Sequence, residues 1–433
     1  MTATLLTLLI LGFMFVLLAS GMAIGLAMGL AGVTGTMWLI SSDSALALLG
    51  QTAYETAITY DLSIVPLFVL MGYLATNSGL SEALYRACNT WLGSFRGGLA
   101  LATIGGCGAF AAICGSSLAT AATMSQIALP EMRRYNYDER LATGAIAAGG
   151  TIGILIPPSV ILVIYGILTE TNIGHLFLAG IIPGVLLVLF FMITIMIVTH
   201  IDPTLGPRGE KTTFAEKIRA VKDVWGTALL FMLVIGGIYL GVFTPTEAAG
   251  IGAMGALGLG LVARRMSVKK FMNCLLETVK TTSMIFTILI GAILFNNFLV
   301  LSDVPSEIGE WVSSLPLGPH SILLVILLIY LVLGCALDAL AMILLTVPIF
   351  FPIVANLGFD PIWFGVIVVL VVELGMISPP IGMNVFVIKG IAPEVPIGQI
   401  YLGVLPFVIA LMLLIVVLVI FPGLATWLPS TMG

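Results

Sequence analysis

Long apolar runs alternate with short polar breaks along this chain, and the spacing of the two predicts nearly every element. Apolar runs of roughly 18–25 residues are long enough to cross a bilayer as helices. Ten such spans are predicted, at about 4–20, 23–40, 62–77, 141–166, 176–199, 224–242, 246–263, 281–300, 362–387 and 400–422. Two further apolar stretches, 98–129 and 319–355, have polar, Gly-rich middles, "GCGAFAAICGSSLATAAT" and "LGCALDALAMILLTVP". Segments at about 41–61 and 264–280 read as amphipathic connectors.

Composition strengthens this reading. A chain that is 60% hydrophobic and 9% charged is no soluble domain; it is an all-α polytopic membrane protein. A net charge of −5 offers no nucleic-acid footprint. The five cysteines are expected to be free and buried, and the three histidines to be interfacial polar residues. The opening "MTATLLTLLILGFMFVLLAS" lacks a basic n-region, so no cleavable signal is expected.

The basic residues decide what the two mixed stretches are. Arg86 and Arg96 precede the first, and Arg133, Arg134 and Arg140 follow it. The positive-inside rule places both flanks in the cytoplasm, so the stretch enters and returns on one side as a re-entrant hairpin. The second is flanked by Asp303, Glu307, Glu310 and Asp360, with no Lys or Arg from 281 to 388, and is expected to enter from the other side. With this topology all 16 Lys and Arg are cytoplasmic and both termini lie outside. Trp38, Trp225, Trp311, Trp363 and Trp427 fall near segment ends, as interfacial anchors do.

Two proline pairs break the apolar pattern at matching places. "GILIPPS" at Gly153–Ser159 recurs as "GMISPPI" at Gly375–Ile381, an offset of 222 residues. The same offset pairs Pro130 with Pro352 and Asp138 with Asp360. The order of spans, connector and hairpin also repeats. Because the hairpins open to opposite sides, residues 1–222 and 223–433 are predicted to be inverted repeats, an ion-transporter architecture with its site at mid-membrane. Each repeat holds a hairpin (98–129, 319–355) and a broken helix (141–166, 362–387).

Proline removes a backbone donor, and unwound backbone in a membrane leaves carbonyl oxygens to be satisfied. Oxygens are what hard cations take as ligands. A Na⁺ is therefore expected between Gly334 and Gly375–Ile381, with a counterpart between Gly105–Gly108 and Gly153–Ser159. At the hairpin tips, Ser116, Ser117 and Thr120 sit beside a predicted helix N-terminus, which suits an anionic substrate group. Asp338 is a lone carboxylate in an apolar run, so it is a functional candidate as cation ligand, proton carrier or partner of substrate hydroxyls. Glu373 is a second, lower-ranked acid. No enzyme motif is present, and without a phosphate-binding loop any uphill transport must draw on an ion gradient.

The strings "GSSLATAAT", "ALPEMRRYNYDERLATGAIAAGGTIGILIPPS", "YGILTETNIGHLFLAGIIPG" and "ELGMISPPIGMNVFVIKG" resemble the large membrane subunit of tripartite ATP-independent periplasmic (TRAP) transporters, C4-dicarboxylate type, over essentially the full length. The resemblance implies an elevator fold driven by Na⁺ in the bacterial inner membrane; the topology read from the basic residues then makes both termini periplasmic. It implies two partners, a small four-helix membrane subunit and a periplasmic binding protein that delivers a carboxylate. It places Na⁺ at Gly334, Gly375 and Ser378 and, by pseudosymmetry across a gap of about six residues, at Gly106, Gly153 and Ser159. The alternative is a stand-alone Na⁺/dicarboxylate symporter of related architecture.

Overall fold

In the computed structural model, which describes residues 3–304, 307, 316–335 and 337–432, every one of the ten predicted spans coincides with a helix or a bent helix pair. Glu310 and Trp311 lie outside the described residues. The first repeat opens with α1 (Ala3–Ala19), α2 (Ile24–Leu39), the amphipathic α3 (Ser42–Ile58) and α4 (Ile64–Asn77). A surface helix α5 (Leu80–Leu92) leads into the first hairpin, α6 (Gly98–Cys114) and α7 (Ser117–Arg134). The broken helix α8 (Glu139–Leu155) and α9 (Val160–Thr169) follows, then α10 (Ile173–Ile201). A second surface helix, α11 (Phe214–Asp223), precedes α12 (Trp225–Tyr239), α13 (Pro245–Val262) and α14 (Val268–Leu301). The second hairpin is α15 (Pro319–Gly334) and α16 (Ala339–Asn356), and the second broken helix is α17 (Pro361–Ile377) and α18 (Met383–Ile391). Helices α19 (Ile397–Ile420) and α20 (Gly423–Ser430) end the chain.

The 222-residue offset governs the elements themselves. Ser117–Arg134 and Ala339–Asn356 are both 18 residues, and Glu139–Leu155 and Pro361–Ile377 are both 17, each pair displaced by that offset without a gap. Their caps correspond too. Asp138 caps α8 through the Arg140 N–H, and Asp360 caps α17 through the Trp363 N–H, each at 2.8 Å. An N-cap carboxylate satisfies donors that the first turn cannot use. Both breaks contain a cis Pro–Pro bond. The two broken helices run antiparallel: Tyr165, in the second half of one, donates to the Pro361 carbonyl at the start of the other, at 2.6 Å.

One connector differs from expectation. Residues 42–58 and 60–77 form two helices bent by 60°, whereas 264–280 is not a separate connector, because α14 runs unbroken for 34 residues. The first carries the short turn Tyr60–Ser63, followed by Pro66 in the first turn of α4, while "LLETVKTTSMIF" holds neither Pro nor Gly.

The helices form two layers. In one, α2 packs on α14 and α4 on α13. Glycines bring α2 and α14 into backbone contact: a Cβ on Gly291 would fall 2.0 Å from the Gly25 carbonyl oxygen. Small residues of this kind let membrane helices approach closely. The hairpins, the broken helices, α10 and α19 make the other layer, with α8 on α19 and α15 on α17.

The basic segments meet on one face. Gly209 N–H donates to Gly93 O at 3.0 Å, Tyr137 Oη to Pro207 O at 2.8 Å, and Arg265 Nη1 to Gly79 O at 3.2 Å, while Arg133 pairs with both Glu139 and Glu394. On the same face the Arg140 guanidinium holds the Asp138 carboxyl below the usual carboxylate range. Trp38, Trp225 and Trp427 are exposed as anchors should be, but Trp363 is not an anchor. It is buried and donates from Nε1 to Leu418 O at 2.8 Å, because α19 covers the start of α17. All five cysteines are free; Cys107, Cys274 and Cys335 are buried, and Cys88 and Cys114 half-buried.

Candidate functional site

Both hairpin tips open into one cavity of about 260 Å³. The first tip contributes Ser116, Ser117 and Thr123, and the second Asp338 and Leu340. The far wall comes from the other layer: Tyr73 and Thr76 of α4 and Thr281 of α14. Tyr73 Oη and Thr281 Oγ1 are 2.9 Å apart, a hydrogen bond joining the two repeats behind the cavity.

Each tip ends at the N-terminus of an 18-residue helix, so the positive ends of two helix dipoles converge on the cavity. The two are capped differently. Ser116 Oγ accepts from Ala119 N–H at 3.4 Å, a weak neutral cap that leaves the remaining donors of the turn open. Asp338 Oδ1 accepts from both Leu340 and Ala341 N–H, at 3.0 and 3.1 Å. The second terminus thus already has two of its donors bound by a carboxyl oxygen. The turn at Ser116–Ser117 keeps more of its donors open than the turn at Asp338. Asp338, singled out in the sequence as a costly lone acid, is half-exposed to the cavity and bonded to two donors, which is why the apolar run tolerates it.

Thr120 is placed elsewhere. It is buried, does not line the cavity, and donates from Oγ1 to Ser116 O at 2.8 Å. Its hydroxyl faces Gly153, where a Cβ would fall 2.7 Å from both Ser116 O and Thr120 Oγ1. Gly115, at φ +63°, closes the tip against the broken helix; a Cβ there would sit 2.4 Å from Pro158 O. Ser159, fully buried, caps α9 through the Leu162 N–H at 3.3 Å. Hairpin and break therefore meet around Ser116 O, Thr120 Oγ1, Pro158 O and Ser159, an all-oxygen set of the kind Na⁺ takes.

Gly106 does not belong to that set. Its open face looks onto Tyr85 of α5, so the predicted assignment is corrected. The six-residue gap that led to it matched glycine to glycine. The tips instead align without a gap, Ser116 with Asp338, and the glycine beside the break is Gly115. In the other repeat Gly334 and Gly375 do meet: a Cβ on Gly375 would lie 2.6 Å from the Gly334 carbonyl carbon. Ser378 Oγ donates to Leu374 O at 2.6 Å, and Gly382 N–H to Cys335 O at 3.4 Å. Tyr401 Oη lies 2.9 and 2.5 Å from the carbonyl oxygens of Pro380 and Ile381, which share its one proton. Gly334 and Gly375 thus pack backbone to backbone beside Ser378, with no room for an added methyl.

Sequence reasoning missed the far wall. Tyr73, Thr76 and Thr281 are hydroxyls within apolar spans, and "GYLATN" and "KTTS" were the only signal for them. It also underrated Glu373. That carboxylate is fully buried and does not face a hydrated helix end; its Oε1 accepts from Ser117 Oγ, across the two repeats. Among the described residues Glu373 Oε2 and Asn384 Oδ1 have no hydrogen-bond partner.

Inverted repeats whose paired hairpins and broken helices enclose one small cavity define a secondary-transporter fold. The YdaH transporter of Alcanivorax borkumensis, a crystal structure 16% identical in sequence, shares it with a TM-score of 0.68 over 98% of each chain. Residues 11–424 match the family described as tripartite ATP-independent periplasmic transporter, DctM component, and the chain belongs to that family. It is 38% identical to the C4-dicarboxylate TRAP transporter large permease protein DctM of Pseudomonas aeruginosa, over 94% of each chain. It is 32% identical to the sialic acid TRAP transporter large permease protein SiaM of Vibrio cholerae, over 96% of each. The isethionate TRAP transporter permease protein DctMQ of Oleidesulfovibrio alaskensis is 34% identical over 94% of this chain and 64% of its own. The protein is a multi-pass membrane permease of this family.

Proposed function

We propose that this chain is the translocating subunit of a Na⁺-coupled importer of an organic acid, working by an elevator movement of the hairpin layer against the α2–α4 and α12–α14 layer. The observation that carries the reading is the single cavity between the layers, walled by both hairpin tips on one side and by α4 and α14 on the other. A cargo held at the tips touches both layers at once, so sliding one past the other carries it. The relatives' names, C4-dicarboxylate, sialic acid and isethionate, are all organic anions, which agrees with an anionic group at Ser116–Ser117. Na⁺ would be held by the oxygen sets beside the breaks, and Asp338 would meet the substrate's polar end. When bound, the ion supplies positive charge beside the tips; the chain's own groups orient the carboxylate and exclude water.

In the same reading the repeats divide at 222/223, where α11 ends. The basic face is cytoplasmic, both termini are periplasmic, and the chain sits in the inner membrane with a small four-helix subunit. A periplasmic binding protein delivers the acid. The test is uptake of radiolabelled C4-dicarboxylates into proteoliposomes holding this chain and its small partner, with and without an inward Na⁺ gradient and the binding protein. Uptake is expected to need both. Uptake with Na⁺ alone would replace the tripartite assembly by a stand-alone symporter, and uptake without Na⁺ would overturn the coupling.

A further inference from the structure

One cleft on the basic face has no part in the cavity or the breaks. It measures about 710 Å³ and lies between the turn 93–97, the end of α10 and the segment 202–213. Arg96, His200, Arg208 and Lys211 line it, and no carboxylate does. All four are exposed, and none has an ion pair or side-chain hydrogen bond among the described residues. Elsewhere on this face Arg133 and Arg140 are matched to acids. Three permanent cations gathered without a counter-charge repel one another and create a local field that attracts an anion.

The walls are built rather than loose. Gly97 N–H donates to Gly206 O at 2.9 Å, Gly209 N–H to Gly93 O at 3.0 Å, and Thr212 Oγ1 to Thr90 O at 2.7 Å. Gly97 itself, at φ +66°, lies so close to α10 that a Cβ would meet the Thr199 methyl at 2.8 Å. The segment carrying Arg208 and Lys211 is therefore stitched to the turn carrying Arg96 and to α5, so the backbone positions that bear the cations are fixed before any ligand arrives.

The remaining lining residues specify the ligand. Phe95 and Met196 are about half exposed, and Met196 continues an outward apolar strip on α10 through Ile193 and Ile197. The cleft thus runs from a charged end to an apolar end that continues along the exposed apolar side of a membrane-length helix. A soluble phosphate compound has no use for that strip. A phospholipid presents its phosphate at this depth with its acyl chains running down the helix.

We propose that this cleft binds the phosphate of an anionic phospholipid, with Arg96, Arg208 and Lys211 on the head group and Phe95 and Met196 against the upper acyl chain. Native mass spectrometry of the full-length chain, titrated with dioleoylphosphatidylglycerol or dioleoylphosphatidylcholine, tests it. Wild type is expected to retain the anionic lipid at least about tenfold better. Arg96→Gln/Arg208→Gln should weaken that retention roughly 10–30-fold, the loss two cations near an anionic surface imply. Arg264→Gln/Lys269→Gln, elsewhere on the basic face, should leave it unchanged. Lys211→Glu, one exposed side chain, should lower it even if the double variant fails to fold. Equal retention of the two lipids by wild type, or an equal loss in the Arg264/Lys269 variant, would overturn the site. Displacement of the lipid by low-millimolar inorganic phosphate would reassign the cleft to a soluble anion.

Discussion

Asp338 shows how much one carboxyl can be asked to do in a membrane. Its Oδ1 caps the second hairpin helix, while the same group stands at the cavity wall. The two roles separate by substitution. Asp338→Asn keeps an acceptor for the Leu340 and Ala341 donors and removes only the charge, whereas Asp338→Ala removes both and should cost about 1 kcal/mol of stability. Both variants are expected to lose uptake, with only the Ala variant melting earlier. Full uptake by the Asn variant would make Asp338 a cap and nothing more. Gly375 is the sharper probe of the ion cradle. A valine there drives its Cβ into the Gly334 backbone, and neither backbone can yield as a flexible side chain would. Gly375→Val should raise the Na⁺ needed for half-maximal uptake by about tenfold or more, and an unchanged Na⁺ dependence would empty the cradle of its role. At this scale the sequence was legible where chemistry is costly, as at Asp338 and the proline pairs. It was misleading where residue identity stood in for position. Gly106 matched a glycine but not a place, whereas Ser116 and Asp338 share a place and differ in identity.

Among the elements, the breaks were readable because the prolines act within a few residues of themselves, and the offset that pairs Asp138 with Asp360 turned out to pair two helix caps. Contacts between elements were not. Tyr73 and Thr281 are 208 residues apart, and nothing local marks them as partners. Trp363 looked like an interfacial anchor because it opens a helix; that another helix lies over it is a fact of packing alone. The contact of α2 with α14 is a further case, since the glycines of α2 could equally have faced lipid. A leucine at Gly291 would collide with the Gly25 carbonyl and should destabilise the protein by 1–3 kcal/mol, the usual cost of overpacking. Gly250 on α13 has open space around it, so Gly250→Ala should be neutral or slightly stabilising. Thermal melting of both in the same detergent checks the pair. Equal effects would mean that α2 and α14 are not in backbone contact.

For the whole molecule, a repetition of the hairpin and broken-helix segments written in two nearly unrelated sequences explains why the architecture could be read at all. Only six of 39 aligned positions are identical between 122–160 and 344–382, yet helix lengths and caps coincide. What the repetition conserves is geometry: where a helix starts, where it breaks, and where two backbones touch. The Ser117–Glu373 hydrogen bond adds a mechanical meaning to that geometry. It ties the tip of the first hairpin to the broken helix of the second repeat, in a region that water does not reach. Should that hairpin swing out alone, the carboxyl group would lose the one hydrogen-bond partner it has among the described residues, at a cost of about 1–3 kcal/mol. That cost is a latch: lone opening becomes roughly 5- to 150-fold rarer than it would otherwise be, and the first tip is biased to travel with the broken helix of the other repeat.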